Sequence, residues 1–286
     1  MIKECDKHVL LAGAGGDIGL ATAGALAGAG FSLHCMVRDQ NEAGRLRARI
    51  GTDQDIIEVE LSDADAVPAR VAPLLEKLGS LRAVINCTGV APFGPVATAP
   101  LDRLRNAMEI NVYSSLALFQ LCMPILARSN GRFVMTSSAS GFFAVPFLGY
   151  YAATKRALES LADSMRMEAR PKGVDVVLIQ PGRVSTRMGR QQLAAIDQEY
   201  DALPDDQRAE YGFLYRGFSR NSRESEENGD GIPALEVGKA ILDAVIVAHP
   251  QPRYRVGADA DRMWEARRTL CDRSLDDTLM SRFSKI

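Results

Sequence analysis

The chain has 286 residues, 47% of them hydrophobic, with a formal net charge of -2 and a pI near 6.0. That length can bury a substantial core, as one large α/β domain or two small ones, and the charge gives no global reason to expect nucleic acid or an anionic membrane as partner. Five scattered cysteines (Cys5, Cys35, Cys87, Cys122, Cys271) without CxxC spacing, and three histidines (His8, His34, His249) without metal-ligand spacing, point to reduced thiols in a cytoplasmic protein and no metal site.

The first segment, "MIKECDKHVL", is charged and too short in apolar run for a signal peptide. No apolar run approaches the roughly 18 residues of a spanning helix, so no transmembrane segment is expected. Six near-continuous apolar runs follow: "HVLLAGA", "SLHCMV", "DIIEVEL", "RAVINCTG", "GRFVMTSS" and "VDVVLIQP". Each is bounded by turn residues, as expected of parallel strands covered on both faces. Alanine- and leucine-rich helical stretches lie between them, and this alternation predicts a doubly wound α/β sheet.

After the first strand, "AGAGGDIG" (Ala12 to Gly19) forms a strand–turn–helix setting in which a pyrophosphate can sit on a helix N-terminus. The second strand ends at Val37, where an NAD-preferring protein usually carries a ribose-binding carboxylate. Arg38 comes next and can pair with a 2′-phosphate; Asp39 is the ribose partner if the strand runs one or two residues longer. These residues favour NADP over NAD.

"GYYAATK" places two tyrosines just before Lys155. On a helix Tyr151 shares a face with Lys155, while Tyr150 pairs with Thr154. From Ser185 to Asp230 the chain turns polar and helix-prone, ending in "SRNSRESEENGDG". That last run reads as a solvated loop, or the whole segment as a mobile lid. "ALEVGKAILDAVIVA" then reads as a helix and "PRYRVGAD" as a seventh strand. In the tail from Asp259, Leu275, Leu279 and Phe283 form one stripe that packs on the body or on a partner; membrane-surface association is a lesser alternative.

Taken in order, these motifs resemble the short-chain dehydrogenases/reductases, in their compact single-domain branch. The resemblance rests on the glycine loop, "NCTG" at Asn86 to Gly89, "NV" at Asn111, "TSSASG", "YAATK" at Tyr151 to Lys155 and "PGRVST" at Pro181 to Thr186, and it spans nearly all of the first 190 residues. It implies one Rossmann-type domain of about seven parallel strands over residues 1–286. A substrate lid at about 185–231 and a helical tail at about 259–286 complete it. More loosely, the long segment after Pro181-Gly182 and the "RYRVGADA" tail look like the branch acting on steroid-, retinoid- or other lipid-like alcohols.

The resemblance gives each matched residue a role. Tyr151 exchanges a proton with the substrate oxygen, and Lys155 favours the phenolate and holds the nicotinamide ribose. Ser138, 13 residues before Tyr151, bonds the substrate oxygen; Ser137 and Ser140 fit less well and read as turn residues. Asn111 kinks a helix and holds a water leading to the lysine. Gly13, Gly16, Asp17, Ile18 and Gly19 of the loop, with Arg38, Glu60, Leu61, Asn86, Thr88 and Gly89, bind the adenosine and diphosphate side. Pro181, Gly182, Val184 and Thr186 meet the nicotinamide and its phosphate. Tyr150 is a wall or packing residue.

The loop departs from the family's TGxxxGxG, with Ala12 for threonine and Asp17 for the middle glycine. Gly13, Gly16 and Gly19 instead fit a GxxGxxG spacing, and Asp17 is expected to point away from the phosphates. "GFFAVPFLG", Met188 and the aromatics Tyr211, Phe213, Tyr215 and Phe218 read either as core or as apolar walls for a hydrophobic ketone or secondary alcohol. Arg183, Arg187 and Arg190 read as solvated lid charges, or as partners of an anionic substrate group. The leading reading is an NADP(H)-dependent oxidoreductase; an NAD-linked alcohol dehydrogenase and a non-catalytic dinucleotide sensor are the alternatives. By resemblance a homodimer or homotetramer forms through helices around Leu101–Leu126 and Ala152–Glu168, where Leu158, Leu161 and Met165 make a stripe fitting either core or dimer contact.

Overall fold

Successive residues of a strand face opposite sides of a sheet, and here both sets are apolar. In a computed structural model, which describes residues 7–60 and 62–283, Leu10 and Ala12 of the first strand enter one core cluster and Val9 and Leu11 the other. The first half alternates β1 (His8–Ala12), α1 (Asp17–Gly28), β2 (Ser32–Val37), α2 (Gln40–Ile50), β3 (Asp55–Glu58), α3 (Val67–Lys77) and β4 (Ala83–Asn86). There follow α4 (Leu101–Met108), α5 (Ser114–Ser129), β5 (Arg132–Thr136), α6 (Gly149–Ala169), β6 (Asp175–Pro181) and a short β7 (Val184–Ser185). The remainder is α7 (Arg187–Asp201), α8 (Asp205–Glu227), β8 (Ile232–Pro233), α9 (Ala234–Ile246), β9 (Arg253–Val256), α10 (Ala258–Thr269) and α11 (Asp272–Met280).

Seven strands form a parallel sheet in the order β3-β2-β1-β4-β5-β6-β9, with β7 and β8 as a separate parallel pair. Helices α3, α5 and α6 cover one face; α1, α2 and α9 cover the other. The fold is the doubly wound α/β class expected. Strand order reverses between β1 and β4, and such a switch point opens a crevice at the carboxyl ends of the strands. Among the described residues, the expected site residues lie in the loops at that end or on the helices they start.

Four expectations are settled or amended here. The run "SRNSRESEENGDG" is no loop over most of its length: α8 continues to Glu227, helped by the Arg220–Glu224 pair one turn apart. The tail packs on the body: Leu275 and Phe283 are buried, and Phe283 lies against Gly217 of α8. The stripe Leu158, Leu161, Met165 belongs to the chain's own core. The continuous helix over Leu101–Ser129 is long and apolar enough to cross a membrane by length and composition, against the reading that no run comes close, and more than half of its most apolar window is buried in the protein.

Candidate active site

The glycine loop is shaped by close approach. Gly13 has φ +72°, and a Cβ there would stand 2.8 Å from the Thr88 amide nitrogen; a Cβ on Gly19 would stand 2.0 Å from the Gly13 carbonyl oxygen. Gly16 differs, because it is the N-cap of α1 with ordinary φ -75° and its nearest neighbour to an added Cβ is 3.5 Å away. Glycine there leaves space rather than avoiding a clash. No side chain caps the N-terminus of α1, which leaves its amides and positive dipole end for an anion. Ile18, in the first turn, packs inward on the α1–α2–α9 core.

Asp17 does not stand free in the loop. Its Oδ1 accepts from Arg187 Nε at 2.6 Å, its Oδ2 accepts from the Arg187 backbone amide, and Arg187 Nη2 donates to the Gly15 carbonyl at 3.2 Å. Arg183 is also engaged: its amide donates to Asp259 Oδ2 and its guanidinium to the Ser222 carbonyl. The reading of these two arginines as solvated charges is therefore corrected. Both fasten the segment after β6, and their partners, 170 and 76 residues away in the chain, could not be read from local spacing.

At the end of β2, the chain leaves the sheet at Val37. Arg38 is 63% exposed and pairs with Asp39 and Glu42, each at 3.3 Å. Asp39 caps α2 by accepting from the Glu42 amide at 2.9 Å. Arg45, one turn on, reaches the Gly15 carbonyl. Glu60 is exposed and accepts from the Ser62 amide; Leu61 lies outside the described residues.

The end of β4 is held by a polar chain. Asn86 Oδ1 accepts from the Thr88 amide, Asn86 Nδ2 donates to Ser115 Oγ at 2.6 Å, and Ser115 Oγ donates to the Asn111 carbonyl. Thr88 Oγ1 is buried with no partner among the described residues. A buried hydroxyl is rarely left unsatisfied, and this one stands beside the glycine loop, where a polar ligand would complete it.

The four expected catalytic residues come together. Asn111 lies in a π-helical turn, Glu109–Tyr113, between α4 and α5, a local widening of the helix. Its side chain is 1% exposed. Nδ2 donates to the Val90 carbonyl and to Thr154 Oγ1, both at 2.9 Å, while Oδ1 accepts from the Val90 amide at 2.8 Å. Lys155, on α6, is 3% exposed and donates to the Thr136 carbonyl at 2.9 Å. Its ammonium and Asn111 Oδ1 converge on Gly89: both lie within 3.5 Å of where a Cβ on that glycine would stand. Lys155 Nζ is 5.8 Å from the Tyr151 ring centre. Ser138 heads the turn after β5, its Oγ accepting from the Ser140 amide and near enough to Tyr151 to act on its phenol. Tyr150 faces away and donates to the Ala99 carbonyl at 2.9 Å, a packing role as expected.

Electrostatics correct one expectation. Burial holds the Tyr151 phenol above its ordinary pKa, and the Ser138 hydrogen bond opposes it only in part. Lys155 is itself pushed down to about 8 by burial, with Glu159 one turn further on pulling the other way. In the protein without ligand, burial thus outweighs what favours ionisation of Tyr151. Glu159 was not foreseen. It accepts from Gln180 Nε2 at 2.9 Å and from Arg253 Nε at 3.1 Å, and Arg253 also grips Asp163; its carboxylate packs under Gly141, in the Ser138 turn. Its i+4 spacing from Lys155 was the available signal.

The expected substrate walls are divided. Phe147 and Tyr215 are buried against each other, with ring centres 4.7 Å apart, and Phe93, Tyr200 and Phe218 join them. Met188 and Phe213 are exposed. Phe142 meets Trp264 edge to face. Phe147 has φ +78°, a strained conformation for a bulky residue, and such strain clusters at functional sites. Helix α7 crosses this region, joined to the body by Gln192 Nε2 to the Ala91 carbonyl and by Arg103–Glu199 at 2.7 Å.

Comparison with known proteins places this geometry. A family model described as short chain dehydrogenase matches residues 7–197. A dehydrogenase/reductase SDR family protein 7-like from Anopheles gambiae is 31% identical over 206 residues, which are 69% of this chain and 65% of that protein; the chain thus spans under two thirds of that relative. An NADPH-dependent 3-dehydrocapnine reductase from Ornithobacterium rhinotracheale is 26% identical over 287 residues, 98% of each. Among solved structures, a short chain dehydrogenase from Burkholderia cenocepacia in complex with NADP superposes with a TM-score of 0.71 at 20% identity, covering 98% of each chain.

Proposed function

Since the chain belongs to the short-chain dehydrogenase family and is an oxidoreductase of CH–OH groups, we propose that it reduces an apolar ketone to a secondary alcohol with NADPH. The observation that carries this is the meeting of Ser138, Tyr151, Lys155 and Asn111, with the Lys155 ammonium and the Asn111 amide buried side by side at Gly89 and burial holding the Tyr151 phenol above its ordinary pKa. A protonated phenol is a donor at neutral pH, which suits reduction. NADPH, when bound, supplies the hydride.

The chain's own residues do the rest. Gly13, Gly16, Ile18 and Gly19 shape the anion site at the α1 N-terminus, with Asp17 at its rim held by Arg187; Asn86, Thr88 and Gly89 line the other wall of the crevice, and Pro181, Gly182, Val184 and Thr186 its far end. Arg38 turns from Asp39 and Glu42 to a 2′-phosphate, the reason for preferring NADPH, in keeping with the NADPH dependence in the name of the Ornithobacterium relative. Ser138 orients the carbonyl oxygen, Tyr151 protonates it, and Lys155 balances the charge left on Tyr151. Asn111 holds the π turn open beside Lys155. Helices α7 and α8 act as the lid over an apolar substrate. The exposed Tyr113 and Met167, on the segments that pair in relatives, fit a homo-oligomer.

The test is the loss of reduced-nicotinamide absorbance with NADPH or NADH against a panel of ketones graded from small and polar to large and apolar. NADPH-linked turnover rising with apolar size is expected. Arg38→Ala should cut the NADPH preference by about 10- to 100-fold, the worth of a charge-assisted hydrogen bond. No turnover with any carbonyl, despite tight cofactor binding, would favour the sensor reading; preference for NADH would overturn the role of Arg38.

A further inference from the structure

A carboxylate at the mouth of a diphosphate site needs an explanation, and the structure supplies one from the other side of the crevice. Asp17 is the first residue of α1 and Arg187 the first of α7. Arg187 gives Asp17 two donors, one from its guanidinium and one from its backbone amide, and its remaining reach goes to the Gly15 carbonyl of the glycine loop. The pair is only partly exposed, 22% and 37% for the two side chains, so solvent screens it incompletely. A lone carboxylate suits a bare helix N-terminus but repels a bound diphosphate; a guanidinium locked onto it cancels that repulsion and leaves the loop rimmed by a net neutral pair.

We infer that Arg187 is a positioning residue for the dinucleotide: it neutralises Asp17 so that a carboxylate can occupy a family glycine position while the loop still accepts a diphosphate. This rests on the cofactor reading above. It also gives the base of α7 a role in cofactor affinity, because the cover and the phosphate site share one ion pair.

The experiment is a double-mutant cycle read by NADPH fluorescence or calorimetry in the absence of substrate, with melting temperatures as a folding control. Arg187→Ala should weaken NADPH binding by about tenfold or more, within the range for coupled neighbouring charges. Asp17→Asn should stay within about threefold of wild type, and Asp17→Asn combined with Arg187→Ala should recover to within about threefold, since no charge is left unbalanced. Arg187→Lys should retain most affinity. Where Arg187→Ala does not fold, Arg187→Gln gives the same reading with the backbone contact kept. If Asp17→Asn alone weakens binding as much as Arg187→Ala, and the double variant is no better, the pair is a mechanical latch and the inference is overturned. Unchanged affinity in Arg187→Ala overturns it as well. Wild-type protein that binds neither NADPH nor NADH sinks the cofactor reading itself, a result distinct from both.

Discussion

The floor of the crevice and its cover are built on different physics. The floor is made of strand ends, a glycine loop in which a Cβ on Gly13 or Gly19 would meet backbone at 2.8 or 2.0 Å, and amide side chains buried in hydrogen-bond chains. The cover, α7 and α8, meets the body through an aromatic cluster around Phe147 and Tyr215 and through arginine contacts: Arg187–Asp17, Arg103–Glu199 and Arg183 to the Ser222 carbonyl. Close-packed backbone cannot yield without a clash, whereas partly exposed ion pairs are weak and screened by salt. The floor thus yields little, while the polar part of the cover's attachment is open to salt.

Breaking the floor should cost most. Tyr151→Phe is expected to lower kcat by ~10²–10⁴-fold while leaving NADPH affinity near wild type, since it removes only proton transfer; activity assays paired with cofactor titration check this. Normal turnover would move the donor elsewhere. Next comes pH. Lys155 loses its charge as pH rises through about 8, so kcat/KM for reduction should fall by about tenfold per unit above that point, and Lys155→Met should lose that limb along with most activity. The sign for stability is opposite. Burial sets the folded-state pKa of Lys155 below its unfolded value, so in the free protein its charge costs stability below about pH 8, and the cost is relieved as pH rises. Lys155→Met should therefore melt higher than wild type at neutral pH, a gain that vanishes in alkaline buffer.

Beneath the floor, Arg253→Ala leaves Glu159 and Asp163 without their shared partner. Because Arg253 is partly exposed, a loss of about 2–3 kcal/mol is expected, at the low end for a broken buried pair, measurable by denaturant titration. The smallest effect belongs to the cover. Arg103→Ala removes an exposed pair worth roughly 0.2–1 kcal/mol, so stability should hardly change while KM for an apolar ketone rises a few-fold. Equal sensitivity of KM to salt in wild type and this variant would argue against a cover held by charge.

The same contrast explains what could be read in advance. Parallel strands buried on both faces show as unbroken apolar runs, so "AVIN" and "RFVMT" were legible without partners. Tyr151 and Lys155 were legible because a helix repeats on a short period. The cover was not. Ser219–Glu227 looks like solvent-exposed loop by composition, yet arginine and glutamate are good helix formers and pair one turn apart. The pairing of Asp17 with Arg187 is a tertiary fact with no local trace. The upward push on the Tyr151 pKa comes from burial, which the order of residues does not state.

Phe147 joins the two halves. Its left-handed backbone, just ahead of the helix that begins at Gly149, persists because Phe93, Tyr215 and Phe218 wedge its ring in place. Side chains more than sixty positions downstream therefore bear on the backbone just ahead of the helix that carries Tyr151. On the proposed mechanism, exchanging those aromatics to admit a bulkier guest would also loosen the approach to the phenol, which ties selectivity to speed.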